Sequence, residues 1–114
     1  MLKFNNNGYK NLSVNQCVDL INSEKDLLIL DVRSDEDYSN KHIKGAKSIP
    51  LSKLGFSLDE IINYENSKVI VYCTAGSKSI QACQILEDNG FNNLYNMIGG
   101  YGAWENMERN RLIK

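Results

Sequence analysis

Two continuous apolar runs stand out along the chain, Leu27-Leu-Ile-Leu30 and Val69-Ile-Val-Tyr72. Each is short and rich in aliphatic or β-branched side chains, the pattern of a strand covered on both faces, as in a parallel sheet. Elsewhere apolar positions recur at helical spacing. Val14, Cys17, Val18 and Ile21 share one face, behind Ser13-Val-Asn-Gln16, which matches a capping box. Ile80, Ala82, Cys83, Ile85 and Leu86 repeat the pattern up to Gly90, which is placed to cap a helix in the left-handed conformation. Shorter pieces fill the gaps. Tyr9 to Leu12 reads as a strand, and Ser34 caps a short helix through Tyr38 whose first turn holds Asp35, Glu36 and Asp37. Lys47 to Pro50 is extended, Leu51 to Gly55 a turn or short helix, and Leu58 to Tyr64 another short helix. Asn93 to Met97 is a further strand, broken by Gly99-Gly100, and Tyr101 to Met107 forms a last helix carrying Trp104. Strands alternating with helices predict an α/β domain: a central, mostly parallel sheet of about five strands with helices on both faces.

Composition narrows the picture only a little. At 114 residues the chain is one domain, with residues 1–8 an Asn-rich lead-in and 9–114 the folded unit. A net charge of −1 argues for neither nucleic acid nor an anionic membrane surface, and neither is expected as a partner. No apolar run approaches the roughly 18 residues of a membrane span, and Met1 to Lys10 lacks the apolar core of a signal peptide. A cytoplasmic location is expected. The three cysteines, Cys17, Cys73 and Cys83, are odd in number and form no CxxC pair, which predicts free thiols in a reducing compartment and no zinc site. No metal or organic cofactor is expected, and monomer and dimer are both open.

The chemistry gathers at Cys73. It ends the apolar run Val69 to Tyr72 and is followed by Thr74, Ala75, Gly76, Ser77, Lys78 and Ser79 before the helical pattern begins. Strand, tight loop and helix start therefore meet at the carboxyl edge of the sheet, where open α/β folds place their ligands. Amides of the loop and the first helical turn lack intrahelical partners and can face an anion. The helix dipole and Lys78 both favour thiolate. A free cysteine has a pKa of about 8.5, and such settings pull it to roughly 3.5–7.5. Gly76, with small neighbours, lets the backbone curl around whatever the sulfur carries. The expected site is thus a cysteine nucleophile, Cys73, inside a cradle running from Thr74 to Ser79.

Other residues carry two readings each. Arg33, flanked by Asp31, Asp35, Glu36 and Asp37, either binds an anionic substrate or holds a structural ion pair. His42, the single histidine, is either a base for Cys73 or a residue tying down backbone carbonyls in a turn. Cys17 and Cys83 fall on apolar helix faces and are expected in the core.

Taken together and in order, these residues resemble the single-domain rhodaneses, the rhodanese-like sulfurtransferases. The resemblance runs from Ser13 to Met107. It rests on Asp31-Val-Arg33 after a strand, on Asp37-Tyr38 followed by His42-Ile43-x-Gly45-Ala46 and Ile49-Pro50, on Val71-Tyr72-Cys73-x-x-Gly76-x-x-Ser79, and on Gly99-Gly100-x-x-Ala103-Trp104. It implies sulfur transfer through a persulfide on Cys73, held by the backbone from Thr74 to Ser79. The small-molecule donor would be thiosulfate, a polysulfide or another persulfide, including one on a protein; the acceptor would be cyanide or a thiol. Three positions depart from the pattern: Lys78 stands where the family often has arginine, Thr74 where many members carry a basic residue, and Lys41 where a glycine is common. Lysine keeps the charge at 78 but loses the bidentate fork.

Two further readings stand beside sulfur transfer. Related phosphatases and arsenate reductases resemble Cys-x5-Arg loops, in which arginine clamps the oxyanion; here the sixth residue after Cys73 is Ser79. Rhodanese-like domains also serve as non-catalytic interaction modules, which usually lack the cysteine.

Overall fold

The computed structural model describes residues 8–75 and 77–113. All of the lead-in except Gly8 lies outside them, as does Gly76. A five-stranded sheet in the order β1-β5-β4-β2-β3 forms the middle layer. Its strands are β1 (Tyr9–Leu12), β2 (Leu27–Asp31), β3 (Lys47–Ser48), β4 (Lys68–Tyr72) and β5 (Leu94–Met97), and every pairing is parallel. The helices are α1 (Val14–Ser23), α2 (Asp35–Asn40), α3 (Leu51–Leu54), α4 (Lys78–Asp88) and α5 (Gly100–Ile113).

The period of two along a strand explains why the central strands are apolar throughout. Leu28, Leu30, Val69 and Val71 point to one side, against Leu54, Ala82, Cys83 and Leu86 of α3 and α4. Ile29, Ile70 and Tyr72 point to the other, with Val14 and Cys17 of α1 and with partly buried Trp104 and Met107 of α5. Both faces are covered, as a parallel sheet requires. The capping box closes as expected: the Ser13 amide donates to Gln16 Oε1 at 2.8 Å and the Gln16 amide to Ser13 Oγ at 3.2 Å. Gly90 takes φ +94° just beyond α4.

Two segments differ from expectation. Leu58 to Tyr64 is not one helix but two 3₁₀ turns, Leu58–Glu60 and Ile62–Tyr64. Ile61 between them turns its fully buried side chain into the core and adopts φ −127°, outside helical geometry. The last helix runs on from Met107 to Ile113. Nothing in Glu108-Arg-Asn-Arg111 breaks it, and Glu105 and Arg109 pair one turn apart at 3.6 Å.

Cys17 and Cys83 are both fully buried, and burial pushes each thiol up from 9.0 to about 12. Between those values the unfolded chain releases a proton that the folded chain keeps. Stability is therefore complete below about pH 9 and falls by about 1.4 kcal/mol per pH unit for each thiol above it. Urea midpoints measured from pH 9 to pH 10, below the range where the raised Tyr72 phenol adds its own contribution, are expected to fall steadily, and Cys83→Ala should make the slope shallower by about half.

Candidate active site

The carboxyl ends of β2 and β4 meet at a buried polar cluster. Asp31, the last residue of β2, is fully buried and faces Arg33, which is 7% exposed. Arg33 Nε lies 3.1 Å from both Asp31 oxygens and Nη2 lies 2.8 Å from Oδ2, a forked charge-assisted pair. The same Nη2 donates to the Lys41 carbonyl at the end of α2. The guanidinium also sits over the rings of Tyr101 at 4.4 Å and Tyr72 at 5.6 Å. The Tyr72 hydroxyl accepts the Ile43 amide at 3.1 Å. Burial first, then its hydrogen bond with Asp31, pushes that phenol far above its ordinary value. Every donor on Arg33 named here points inward, so the ion-pair reading of this residue is the one its contacts match.

His42 is exposed, and its contacts lie within its own turn. Its ring stacks on Tyr38 at 3.8 Å between centroids, and Nδ1 lies 2.7 Å from the Tyr38 carbonyl, which requires the proton on Nδ1. The Tyr38 hydroxyl in turn donates to the Ala46 carbonyl at 2.6 Å. These bonds close the turn that leads from α2 into β3.

Cys73 follows directly on β4 and is 3% exposed. Its Sγ lies 3.4 Å from Ser79 Oγ in the first turn of α4. Between them Thr74, Ala75, Ser77 and Lys78 are exposed, whereas Ser79 is fully buried. Ser77 caps α4 without a side-chain hydrogen bond, leaving amides of the first turn to other partners. The Ser79 hydroxyl donates to Asn96 Oδ1 at 2.5 Å, and Asn96 Nδ2 donates to Asn11 Oδ1 at 2.9 Å. An open cleft of about 550 Å³ lies alongside, lined by Asn11, Ala75, Ser77, Asn96 and Ile98 among others.

The start of α5 grips the loop from the opposite side. The Tyr101 amide donates to the Cys73 carbonyl at 2.7 Å and the Gly102 amide to the Thr74 carbonyl at 3.3 Å. Gly100 makes this approach possible: it holds φ +61°, and a Cβ there would run into the Cys73 carbonyl oxygen and lie 2.6 Å from the Thr74 carbonyl carbon. Both obstacles are backbone, so neither can swing aside. Gly100→Ala is expected to cost about 2–3 kcal/mol, from the left-handed conformation together with the clash. It should also displace Cys73, seen as an altered alkylation rate of the thiol in the still-folded fraction.

The roles of three of these residues were not assigned from the sequence. Gly100 reads there as a strand breaker and as one of the positions carrying the family resemblance, with no tie to the Cys73 loop. Asn96 carries a signal, a polar residue inside an otherwise apolar strand, but nothing in the sequence links it to Asn11. Tyr72 reads as one more core aromatic.

The comparisons with known proteins agree with this geometry. The rhodanese-like domain family model matches residues 13–107. The thiosulfate sulfurtransferase GlpE of Coxiella burnetii (strain RSA 493 / Nine Mile phase I) is 33% identical over 97 residues, covering 85% of this chain and 88% of that protein. A rhodanese-like domain protein from Staphylococcus aureus superposes with a TM-score of 0.70 at 28% identity, over 83% of this chain and 90% of the other. A Rhodopseudomonas palustris CGA009 protein of unknown function, described as a possible tyrosine phosphatase, superposes with a TM-score of 0.79 at 26% identity, over 88% of this chain and 82% of the other. The chain belongs to the rhodanese-like domain family. Within it, the chain is an enzyme of the thiosulfate sulfurtransferase-like type. Among the described residues, no helix is long and apolar enough to cross a membrane, and no cluster of three or more His, Cys, Asp or Glu could hold a metal ion.

Proposed function

We propose that the protein transfers a sulfane sulfur through a persulfide on Cys73. The observation that carries this is the position of Cys73: a thiol at the carboxyl end of the central strand β4, within 3.4 Å of the Ser79 hydroxyl and under the first turn of α4. In the first half-reaction the thiolate attacks the outer sulfur of a donor such as thiosulfate. The new bond is Cys73 Sγ–S, the donor's own S–S bond breaks, and sulfite leaves with the electron pair. In the second, a thiophilic acceptor such as cyanide attacks the outer sulfur, thiocyanate departs, and the thiolate returns.

The resemblance assigns the cradle to the backbone from Thr74 to Ser79. Amides of this loop and of the α4 terminus offset the charge of the persulfide. Gly76 belongs to that cradle by sequence, although it lies outside the described residues. Lys78 adds an exposed positive charge for an anionic donor. Arg33, Asp31 and His42 support the loop as scaffold rather than touching the sulfur. Partners are then small sulfur donors and acceptors, or a protein persulfide, met in the cytoplasm.

The structural likeness to a possible tyrosine phosphatase favours a second reading, phosphate-ester hydrolysis. Against it stands the loop itself, which has no arginine. Lys78 presents a point charge, and the sixth residue after the cysteine, Ser79, is buried against Asn96.

Intact-protein mass spectrometry separates the two. Incubation with thiosulfate is expected to add one sulfur to Cys73, and cyanide to remove it with release of thiocyanate. No gain with thiosulfate or polysulfide, together with hydrolysis of a phosphate ester, would overturn the proposal.

A further inference from the structure

Three hydrogen bonds behind Cys73 form a line with a direction. The Cys73 thiol donates to Ser79 Oγ at 3.4 Å, the Ser79 hydroxyl to Asn96 Oδ1 at 2.5 Å, and the Asn96 amide to Asn11 Oδ1 at 2.9 Å. These three donations run outward, from the sulfur at the end of β4 through the first turn of α4 and β5 to the edge strand β1. The strand register produces it, because Asn11 pairs directly with Asn96 and Asn96 with Val71. Ser79 and Asn96 are buried, and Asn11 is exposed at the open cleft.

That direction suits a thiol and opposes a thiolate. A hydroxyl has one proton, and Ser79 gives its proton to Asn96. Once Cys73 loses its own proton, Ser79 Oγ turns a lone pair toward a negative sulfur. The line can reverse with no change in the positions of the backbone or of the Ser79 oxygen. Oxygen and nitrogen of an asparagine amide are nearly the same size, so half-turns of the Asn11 and Asn96 amides exchange donor for acceptor. Asn11 then donates to Asn96, Asn96 to Ser79, and Ser79 to the sulfur, while the thiol proton leaves to water.

We propose that Asn96 and Asn11 are positioning residues that set the direction of this line, outward when Cys73 is a thiol and inward when it is a thiolate or a persulfide. The persulfide half rests on the sulfur-transfer reading above; the thiolate half does not. A hydrogen bond to a charged acceptor is worth more than one to a neutral acceptor, so the inward line stabilises the reactive form. The two asparagines thereby let one serine serve both states.

Other titratable groups around Cys73 leave the line a distinct effect. On α4, Lys78 is exposed, Glu87 lies more than two turns further on, and Cys83 stays neutral with its thiol pushed up to about 12. Asp31 and Arg33 beyond β2 are paired with each other. On β4, the Tyr72 phenol is pushed far up, and at the start of α5 burial also raises Tyr101. Asn96, the group of β5 in the line, is neutral.

The test is Asn11→Asp, an exposed change of nearly equal shape that removes the ability to donate and adds one charge, which the Ser79→Ala background controls for. It pins the line outward. The measurement is the rate of iodoacetamide alkylation of Cys73 against pH, read on the full chain by intact mass. The midpoint is expected to rise by about one pH unit, the scale of one charge-assisted hydrogen bond. In a Ser79→Ala background the line is cut, and Asn11→Asp should then leave the midpoint where Ser79→Ala alone puts it. No shift in the wild-type background would overturn the proposal. So would an equal shift with and without Ser79, which would mean that the new carboxylate acts only through its charge. Alkylation needs no sulfur donor, so the outcome is independent of whether sulfur transfer itself is observed.

Discussion

Cys73→Ser is expected to lose sulfur transfer altogether, with no mass gain from thiosulfate or polysulfide and no thiocyanate on adding cyanide. Serine has nearly the shape of cysteine, and position 73 is 3% exposed beside Ser79, so the variant should fold and unfold like the parent. What changes is the nucleophile. A serine hydroxyl is almost never ionised near neutral pH unless a base stands beside it, and the hydroxyl cannot form the persulfide that splits the reaction into two easier steps. The histidine that could serve as such a base is committed to Tyr38. The loss should therefore be at least about a thousandfold rather than a reduction in affinity. Substituting either buried thiol, Cys17 or Cys83, should leave the mass gain in place, since both are held as neutral core groups. Sulfur appearing on the Cys73→Ser protein would move the carrier role elsewhere and end the mechanism proposed here.

The sheet and the place of Cys73 were readable from the sequence because both follow from local pattern. Leu27 to Leu30 and Val69 to Tyr72 are apolar at every position and too short for a buried helix, which is the pattern of a strand covered on both faces. Ser13 and Gln16 announce a helix start by reciprocal bonds three residues apart. Cys73 sits between a strand and a helix by simple adjacency. What was not readable depends on residues far apart in sequence. Asn11 and Asn96 meet only because β1 and β5 pair in register. Gly100 is constrained by the backbone of Cys73 and Thr74, so its role exists only once α5 is docked. Ile61 breaks its helix because the core draws its side chain inward, a tertiary demand that outweighs local periodicity. The extension of α5 past Met107 was not readable because Glu108 to Arg111 are all polar and offer no apolar stripe to reveal the period.

Asp31→Ala is expected to destabilise the fold by about 3–5 kcal/mol, because it leaves the Arg33 guanidinium buried and without its carboxylate. Arg33 is 7% exposed and enclosed by the Tyr72 and Tyr101 rings and the Lys41 carbonyl, so its charge has little access to water. The neighbouring Asp31 holds the guanidinium ionised, although burial alone would lower its pKa. For a protein of this size such a loss is a large share of the total stability, and the urea midpoint should fall steeply. Replacing both partners by apolar residues of similar volume, Asp31→Leu with Arg33→Met, should recover most of it, since no unpaired charge is then left inside. The pair of experiments also separates the two readings of Arg33. An arginine kept for an anionic donor would be released by Asp31→Ala, changing KM for thiosulfate while stability held. A scaffold arginine gives the opposite result: stability falls, the double variant restores it, and KM for thiosulfate in the restored protein stays close to that of the parent. The contacts of Arg33 all lie on the scaffold side, joining β2, the end of α2 and the start of α5 beneath the Cys73 loop, so the second outcome is the expected one.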